Sequence, residues 1–185
     1  MFTGIVQAVG KIVSVDPFEV DRGTLDLSDV AVGDSIAVQG VCLTVTGLTA
    51  RGFKADVSAE TLRVTTGLER PGPVNLEKAL RMGDALGGHL ATGHVDGVGV
   101  VAKREGGVLA VRVPADLARY VARKGSVCVD GVSLTVNRAE GEQFEVNLIP
   151  HTLEVTTLSR LAPGVKVNLE VDLVARYVER MLSGR

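Results

Sequence analysis

The 185-residue sequence contains no tryptophan, only four phenylalanines and two tyrosines. That is too few rings for a stacking platform on single-stranded nucleic acid. Neither charge dominates: 20 basic and 22 acidic residues leave a formal net charge of −2, so no basic field addresses nucleic acid or an anionic membrane. Two cysteines, Cys42 and Cys128, do not make a disulfide framework, and a reducing cytoplasmic setting is expected. No run of about 18 apolar residues occurs, so no membrane span is expected. The opening "MFTGIVQAVGKIVSV" lacks a cationic region ahead of an apolar one, so no secretory signal is expected either. His89, His94 and His151 have no cysteine or carboxylate cluster at metal-ligand spacing, and no metal is expected. P-loop, dinucleotide and G-x-S-x-G signatures are missing; "GGHLATGHVDG" is glycine-rich but sits in a strand-forming frame.

What the sequence does contain is written twice. "GVCLTV" (Gly40–Val45) recurs as "GVSLTV" (Gly131–Val136), an offset of 91 residues (131 − 40). At the same offset "FKADVSAETLRVTT" (Phe53–Thr66) meets "FEVNLIPHTLEVTT" (Phe144–Thr157). "VNLE" at Val74–Glu77 returns at Val167–Glu170, and "TGIVQAVGKIV" (Thr3–Val13) returns as "TGHVDGVGVVA" (Thr92–Ala102). Four blocks in one order mean a tandem duplication of a unit of roughly 85–90 residues. The units are taken as residues 1–87 and 88–170, followed by a tail at 171–185.

Short β-branched runs bounded by Gly, Asp and Pro give each unit the pattern of a small antiparallel barrel or sandwich. Two helical stretches stand out. "PADLARYVARKG" (Pro114–Gly125) has proline near its start and Lys124–Gly125 at its end. "VDLVARYVERML" places Val174, Tyr177, Val178 and Met181 on one face, with Asp172 as its cap. That tail helix either packs on its own barrel or meets a partner.

Duplication by itself only enlarges a core or makes a symmetric scaffold. The positions that differ between copies say more. Cys42 faces Ser133, Ile5 faces His94, and Ala59–Glu60 face Pro150–His151, while the apolar frame is kept. Each residue alone has an ordinary reading: a small core thiol, a strand hydroxyl, a histidine bonded to a backbone carbonyl. Together they suggest two like pockets for like molecules, made inequivalent by a few groups.

"MFTGIV", the "GVCLTV"/"GVSLTV" pair, "GGHLATGHVDG", "IPHTLEVTTL" and the duplicated "VNLE" resemble the riboflavin synthase family over essentially the whole chain. The resemblance implies an all-β fold of two tandem six-stranded antiparallel Greek-key barrels with a C-terminal amphipathic helix. It implies a transferase that dismutates two molecules of 6,7-dimethyl-8-ribityllumazine. A four-carbon unit is exchanged, giving riboflavin and 5-amino-6-ribitylamino-2,4-pyrimidinedione with no cofactor. It further implies a homotrimer held partly through the tail helix, a site between barrels of neighbouring subunits, and association with lumazine synthase.

Carried onto this chain, the resemblance implies one pocket from Gly4–Ile5–Val6, Cys42–Leu43–Thr44 and Asp56–Val57–Ser58–Ala59–Glu60–Thr61. A second is implied from Gly93–His94–Val95, Ser133–Leu134–Thr135 and Asn147–Leu148–Ile149–Pro150–His151–Thr152, with Lys124 contributing. His94 is the expected proton-transfer group, because imidazole exchanges protons near neutral pH. Ser133 and Thr135 are expected to hydrogen-bond the reacting ring, and Cys42 either adds to the ring or only polarises a water. The rival reading is a non-catalytic antenna that holds a lumazine or flavin; the retained polar groups favour catalysis. The chain departs from the family in the short segment Asp26–Ile36 and in Val41, where some members carry a second cysteine.

Overall fold

A computed structural model describes residues 1–183. Six strands of the first repeat, β1 (Ala8–Val15), β2 (Phe18–Asp21), β3 (Ser35–Val38), β4 (Val41–Leu48), β5 (Gly52–Ala55) and β6 (Gly72–Lys78), close into an antiparallel barrel ordered β1-β2-β5-β4-β3-β6. The second repeat supplies β7 (Gly97–Glu105), β8 (Val108–Arg112), β9 (Ser126–Val129), β10 (Val132–Glu140), β11 (Gln143–Asn147) and β12 (Lys166–Val171), which follow the same circuit.

The strands form because their side chains alternate. In β4, Val41, Leu43 and Val45 are buried while Thr44 and Thr46 are exposed, and β10 repeats the pattern with Val132, Leu134 and Val136 inside. Each barrel closes on its own core, one around Ile12, Phe53 and Leu76, the other around Leu109, Phe144 and Leu169. Burying each such side chain contributes about 1.5–3 kcal/mol, which makes the barrels the stable frame for everything on their rims. A register shift recurs at matching places in β4 and β10, between Val45 and Gly47 and between Val136 and Arg138.

The "VNLE" motif is the fastener between the barrels. Asn75 in β6 donates to the Asp130 carbonyl at 2.8 Å and accepts from Thr157 N–H at 2.8 Å, both in the second repeat. Asn168 in β12 reciprocates, accepting from Thr66 N–H at 2.8 Å and donating to the Gln39 carbonyl at 2.9 Å. These paired bonds make a pseudo-two-fold seam, at whose centre Gly40 and Gly131 meet. A Cβ on Gly40 would lie 2.6 Å from Gly131 N, too close to fit.

Helices are fewer and shorter than the sequence pattern predicts in one place and more numerous in another. Of the helix expected over Pro114–Gly125, only α2 (Ala115–Ala118) forms. Its carboxyl half is claimed by the strands: Lys124 N–H donates to the Val136 carbonyl at 2.7 Å and Val136 N–H to the Gly125 carbonyl at 2.9 Å, pulling the chain into β9. Two unexpected helices, α1 (Ala59–Val64) and α3 (Pro150–Val155), follow β5 and β11. Ser58 caps the first through Thr61 N–H, and Pro150 opens the second at a position that needs no N–H. A 3-10 turn at Thr157–Arg160 follows α3. The tail forms α4 (Leu173–Ser183), capped by Asp172, whose Oδ1 accepts from Val174 N–H at 2.9 Å. Gly184 and Arg185, the last residues of the expected tail segment, lie outside the described residues. No described helix is long and apolar enough to cross a membrane.

Candidate active site: two inequivalent walls

The Thr-Gly dipeptides that open each repeat are pinned by the last residue of "VNLE". The Glu77 carboxylate accepts from Thr3 N–H at 2.7 Å, Thr3 Oγ1 at 2.8 Å and Gly4 N–H at 3.0 Å. Glu170 does the same for Thr92 N–H (2.6 Å), Thr92 Oγ1 (2.7 Å) and Gly93 N–H (2.9 Å). Burial holds the Glu77 carboxyl above its ordinary value, and the hydrogen bonds from Thr3 and Gly4 offset only part of that rise.

From this clamp each dipeptide crosses to the other barrel. Ser133 N–H donates to the Gly4 carbonyl at 2.8 Å, and Cys42 N–H donates to the Gly93 carbonyl at 2.8 Å. Gly4 and Gly93 have φ of 73° and 75°, and a Cβ on either would stand 2.6 Å from the Cβ of Ser133 or Cys42. Only glycine satisfies both the left-handed turn and the close approach. Val6 then packs on the second barrel's core, as Leu153 does, and Val95 packs on the first barrel's core, as Val57 does.

The segments therefore group differently from the sequence expectation. Gly4–Val6 lies against Ser133 and the second barrel's core, whose β11 leads into the Asn147–Thr152 turn; Gly93–Val95 lies against Cys42 and the first barrel's core, whose β5 leads into the Asp56–Thr61 turn. Sequence offsets match like with like, whereas the Glu77 and Glu170 clamps hand each opening dipeptide across the seam. His94 thus belongs beside Cys42, not beside Ser133. The ring that reaches Ser133 is His89, whose Nδ1 lies 2.7 Å from Ser133 Oγ.

Within each wall the buried and exposed groups are divided by strand alternation. Leu43, Leu134 and Leu148 point into the cores; Thr44, Thr135, Asn147, His94 and His151 are exposed, and Cys42 and Ser133 are half-buried. Asp56, Ser58, Ala59, Glu60 and Pro150 are exposed, with Val57, Thr61 and Thr152 half-buried. Glu60 is tied to Arg63 along α1, which holds its carboxyl below the ordinary value. Lys124 is exposed, its backbone in the left-handed region at φ 68°. Ile5 and Ile149 stay 48% and 54% exposed on the Ser133 side, giving it an apolar rim. A concavity of about 570 Å³ lined by Ile5, Ser35 and Glu77, among others, includes neither Cys42, His94 nor Ser133. Both cysteines are free thiols, and no described cluster of His, Cys, Asp or Glu is arranged to hold a metal.

The duplicated chain and its paired barrels have counterparts among known proteins. The lumazine binding domain model matches twice, at residues 3–79 and 92–172. The chain is 48% identical to the riboflavin synthase of Photobacterium phosphoreum, covering 98% of this chain and 89% of that one. It is 50% identical to the riboflavin synthase of Mycobacterium tuberculosis, covering 98% of each. The chain belongs to the riboflavin synthase family. Solved structures of LumP bound to 6,7-dimethyl-8-(1'-D-ribityl) lumazine and to riboflavin superpose with TM-scores of 0.79 and 0.80 at 26% and 28% identity. Each covers 92% of this chain and 99% of LumP. The duplicated "TG" and "VNLE" blocks fall within the two stretches that the lumazine binding domain model matches. The sequence pattern assigns no role to the clamp glutamates Glu77 and Glu170, the seam asparagines Asn75 and Asn168, or His89. "VNLE" was visible as a repeat, but which barrel its side chains serve depends on the crossing of the seam.

Proposed function

We infer that the chain catalyses riboflavin formation from two molecules of 6,7-dimethyl-8-ribityllumazine. A four-carbon unit passes from one to the other, releasing 5-amino-6-ribitylamino-2,4-pyrimidinedione. The atoms balance with no oxidant, reductant or cofactor. The observation that carries the reading is the pair of walls: the same three segments build each, and they differ chiefly at Cys42 against Ser133 and Ile5 against His94. Identical substrates call for like walls, and opposite fates call for unlike groups within them. The strong identity to riboflavin synthases over nearly the whole chain points the same way, against a binding-only antenna.

Strand N–H and C=O groups read the uracil-like edge of each ring, and exposed Thr44, Thr135 and Asn147 suit the ribityl hydroxyls. Holding two rings face to face replaces an unfavourable encounter with an oriented one, worth up to roughly 7–11 kcal/mol. His94 moves a proton at the acidic C7 methyl, whose carbanion delocalises into the ring. Ser133 and Thr135 hydrogen-bond the second ring, and Cys42 lines the opposite wall.

Each wall is open in a single protomer, so the productive pair forms when the Ser133 wall of one subunit meets the Cys42 wall of another. The assembly is a homotrimer, and α4 supplies a contact: Val174, Tyr177, Met181 and Leu182 are 62–75% exposed on that helix. The enzyme works in the cytoplasm, where free thiols persist, and associates with lumazine synthase, the source of its substrate. Incubation with the lumazine alone tests the reading. Riboflavin appears without added cofactor if it holds, and bound lumazine that persists unchanged overturns it.

A further inference from the structure

His89 sits on the segment that joins the barrels, and its ring reaches the cross-strand partners Ser133 and Cys128 of the paired strands β10 and β9. Nδ1 faces Ser133 Oγ of β10 at 2.7 Å, and Nε2 faces Cys128 Sγ of β9 at 3.7 Å. Its backbone N–H donates to the Thr3 carbonyl at 3.1 Å. At Gly88 a Cβ would run into that same carbonyl and come within 2.9 Å of Ser133 Oγ, so only glycine lets the segment lie this close. The ring's place is thereby fixed by backbone as well as by its own bonds.

Burial pushes the His89 pKa down, against the pull of Asp172 and Glu170, so the ring is neutral, with one donor and one acceptor nitrogen. Cys128 is buried, and burial together with Glu170, Glu77 and Asp172 pushes its thiol well up. The thiol keeps its proton, and the acceptor within its reach is His89 Nε2. Nδ1 then carries the ring hydrogen and donates to Ser133 Oγ, which leaves the Ser133 O–H free to point away from the ring.

We propose that His89 is a positioning residue in a Cys128–His89–Ser133 hydrogen-bond chain that presents the Ser133 hydroxyl as a fixed donor to the bound lumazine. The identity of the ligand rests on the riboflavin synthase reading; the polarity of the chain does not. Donors linked in series strengthen one another, and a hydroxyl preset as donor favours a ring that gains negative charge. At the matching place on the other wall, the Cys42 thiol makes no hydrogen bond among the described residues. The linker histidine is therefore a further difference between the walls, one that aligned repeats do not display.

Long-range proton–nitrogen correlation spectra of protein labelled with 15N-histidine test the polarity directly. The His89 signals are assigned by their loss in His89→Asn. Hydrogen on Nδ1 is expected; hydrogen on Nε2 overturns the proposal. In turnover, His89→Ala lowers kcat about tenfold with KM little changed, the loss of one hydrogen bond made to the reacting state. His89→Asn places an amide N–H where Nδ1–H stood and restores most of that rate. An Asn variant as slow as the Ala variant means the ring only fills space and overturns the proposal. Wild-type protein that shows hydrogen on Nδ1 yet forms no riboflavin sinks the functional reading and leaves the chain of bonds standing.

Discussion

Asp130 lies at the seam, where the first repeat carries Gln39, and its side chain is 2% exposed. Its Oδ1 accepts from Asn168 N–H at 2.8 Å, and burial pushes its pKa from 3.8 up to about 7. The folded chain therefore holds a proton that the unfolded chain has released. This contribution is fully present below the unfolded value of 3.8 and is lost as pH rises through about 7. A carboxyl held at about 7 instead of 3.8 carries about 4 kcal/mol of preference for its protonated form. Asp130→Asn keeps the Oδ1 acceptor, matches the amide at Gln39, and tolerates the left-handed φ of 49°. Near pH 8 the variant is expected to be more stable than the parent by about 2–4 kcal/mol, and near pH 4 the two converge. Urea unfolding at one fixed protomer concentration measures both. The depressed His89 has the opposite sign, gaining stability as pH rises, but is common to both proteins and cancels. A variant destabilised equally at both pH values would refute the reasoning.

Glu170→Ala strands three donors that now meet a carboxylate at 2.6–2.9 Å, and is expected to cost about 3–5 kcal/mol in denaturant unfolding. A loss below about 1 kcal/mol means the clamp is replaceable by water. Cys42→Ser makes the two hexamers identical; lumazine binding by calorimetry should survive while riboflavin formation slows, and an unchanged rate removes the thiol from the chemistry. Tyr177→Asp combined with Met181→Asp places charge on the exposed face of α4, and the sedimentation mass should fall to that of the protomer. A mass unchanged from the parent would leave α4 without a part in assembly.

Duplication, barrel class and tail helix were legible because they rest on local signals: alternating β-branched runs, a repeated word order, and a 3.6-residue stripe ending in Met181. The short helices after β5 and β11 were not, since each is six residues and has no buried side chain to mark a stripe. The helix expected over Pro114–Gly125 fails for a non-local reason: Lys124 and Gly125 pair with Val136 instead of with the preceding turn. The site was legible as a set of residues and not as a grouping. Aligning repeats assigns Ile5 to Cys42 and His94 to Ser133, but Glu77 and Glu170 hand the opening segments across the seam. For the same reason His89, which reads as one more residue of a glycine-rich linker, becomes the imidazole at Ser133.

The exchange of carbon between two identical molecules is the central claim, and an isotope test reaches it most directly. Lumazine labelled with carbon-13 in both ring methyl groups is incubated with the protein alone, and the products are weighed by mass spectrometry. The account predicts riboflavin carrying the methyl labels of two lumazines and a pyrimidinedione carrying none. Recovery of intact labelled lumazine, or of riboflavin bearing the labels of a single molecule, would contradict it.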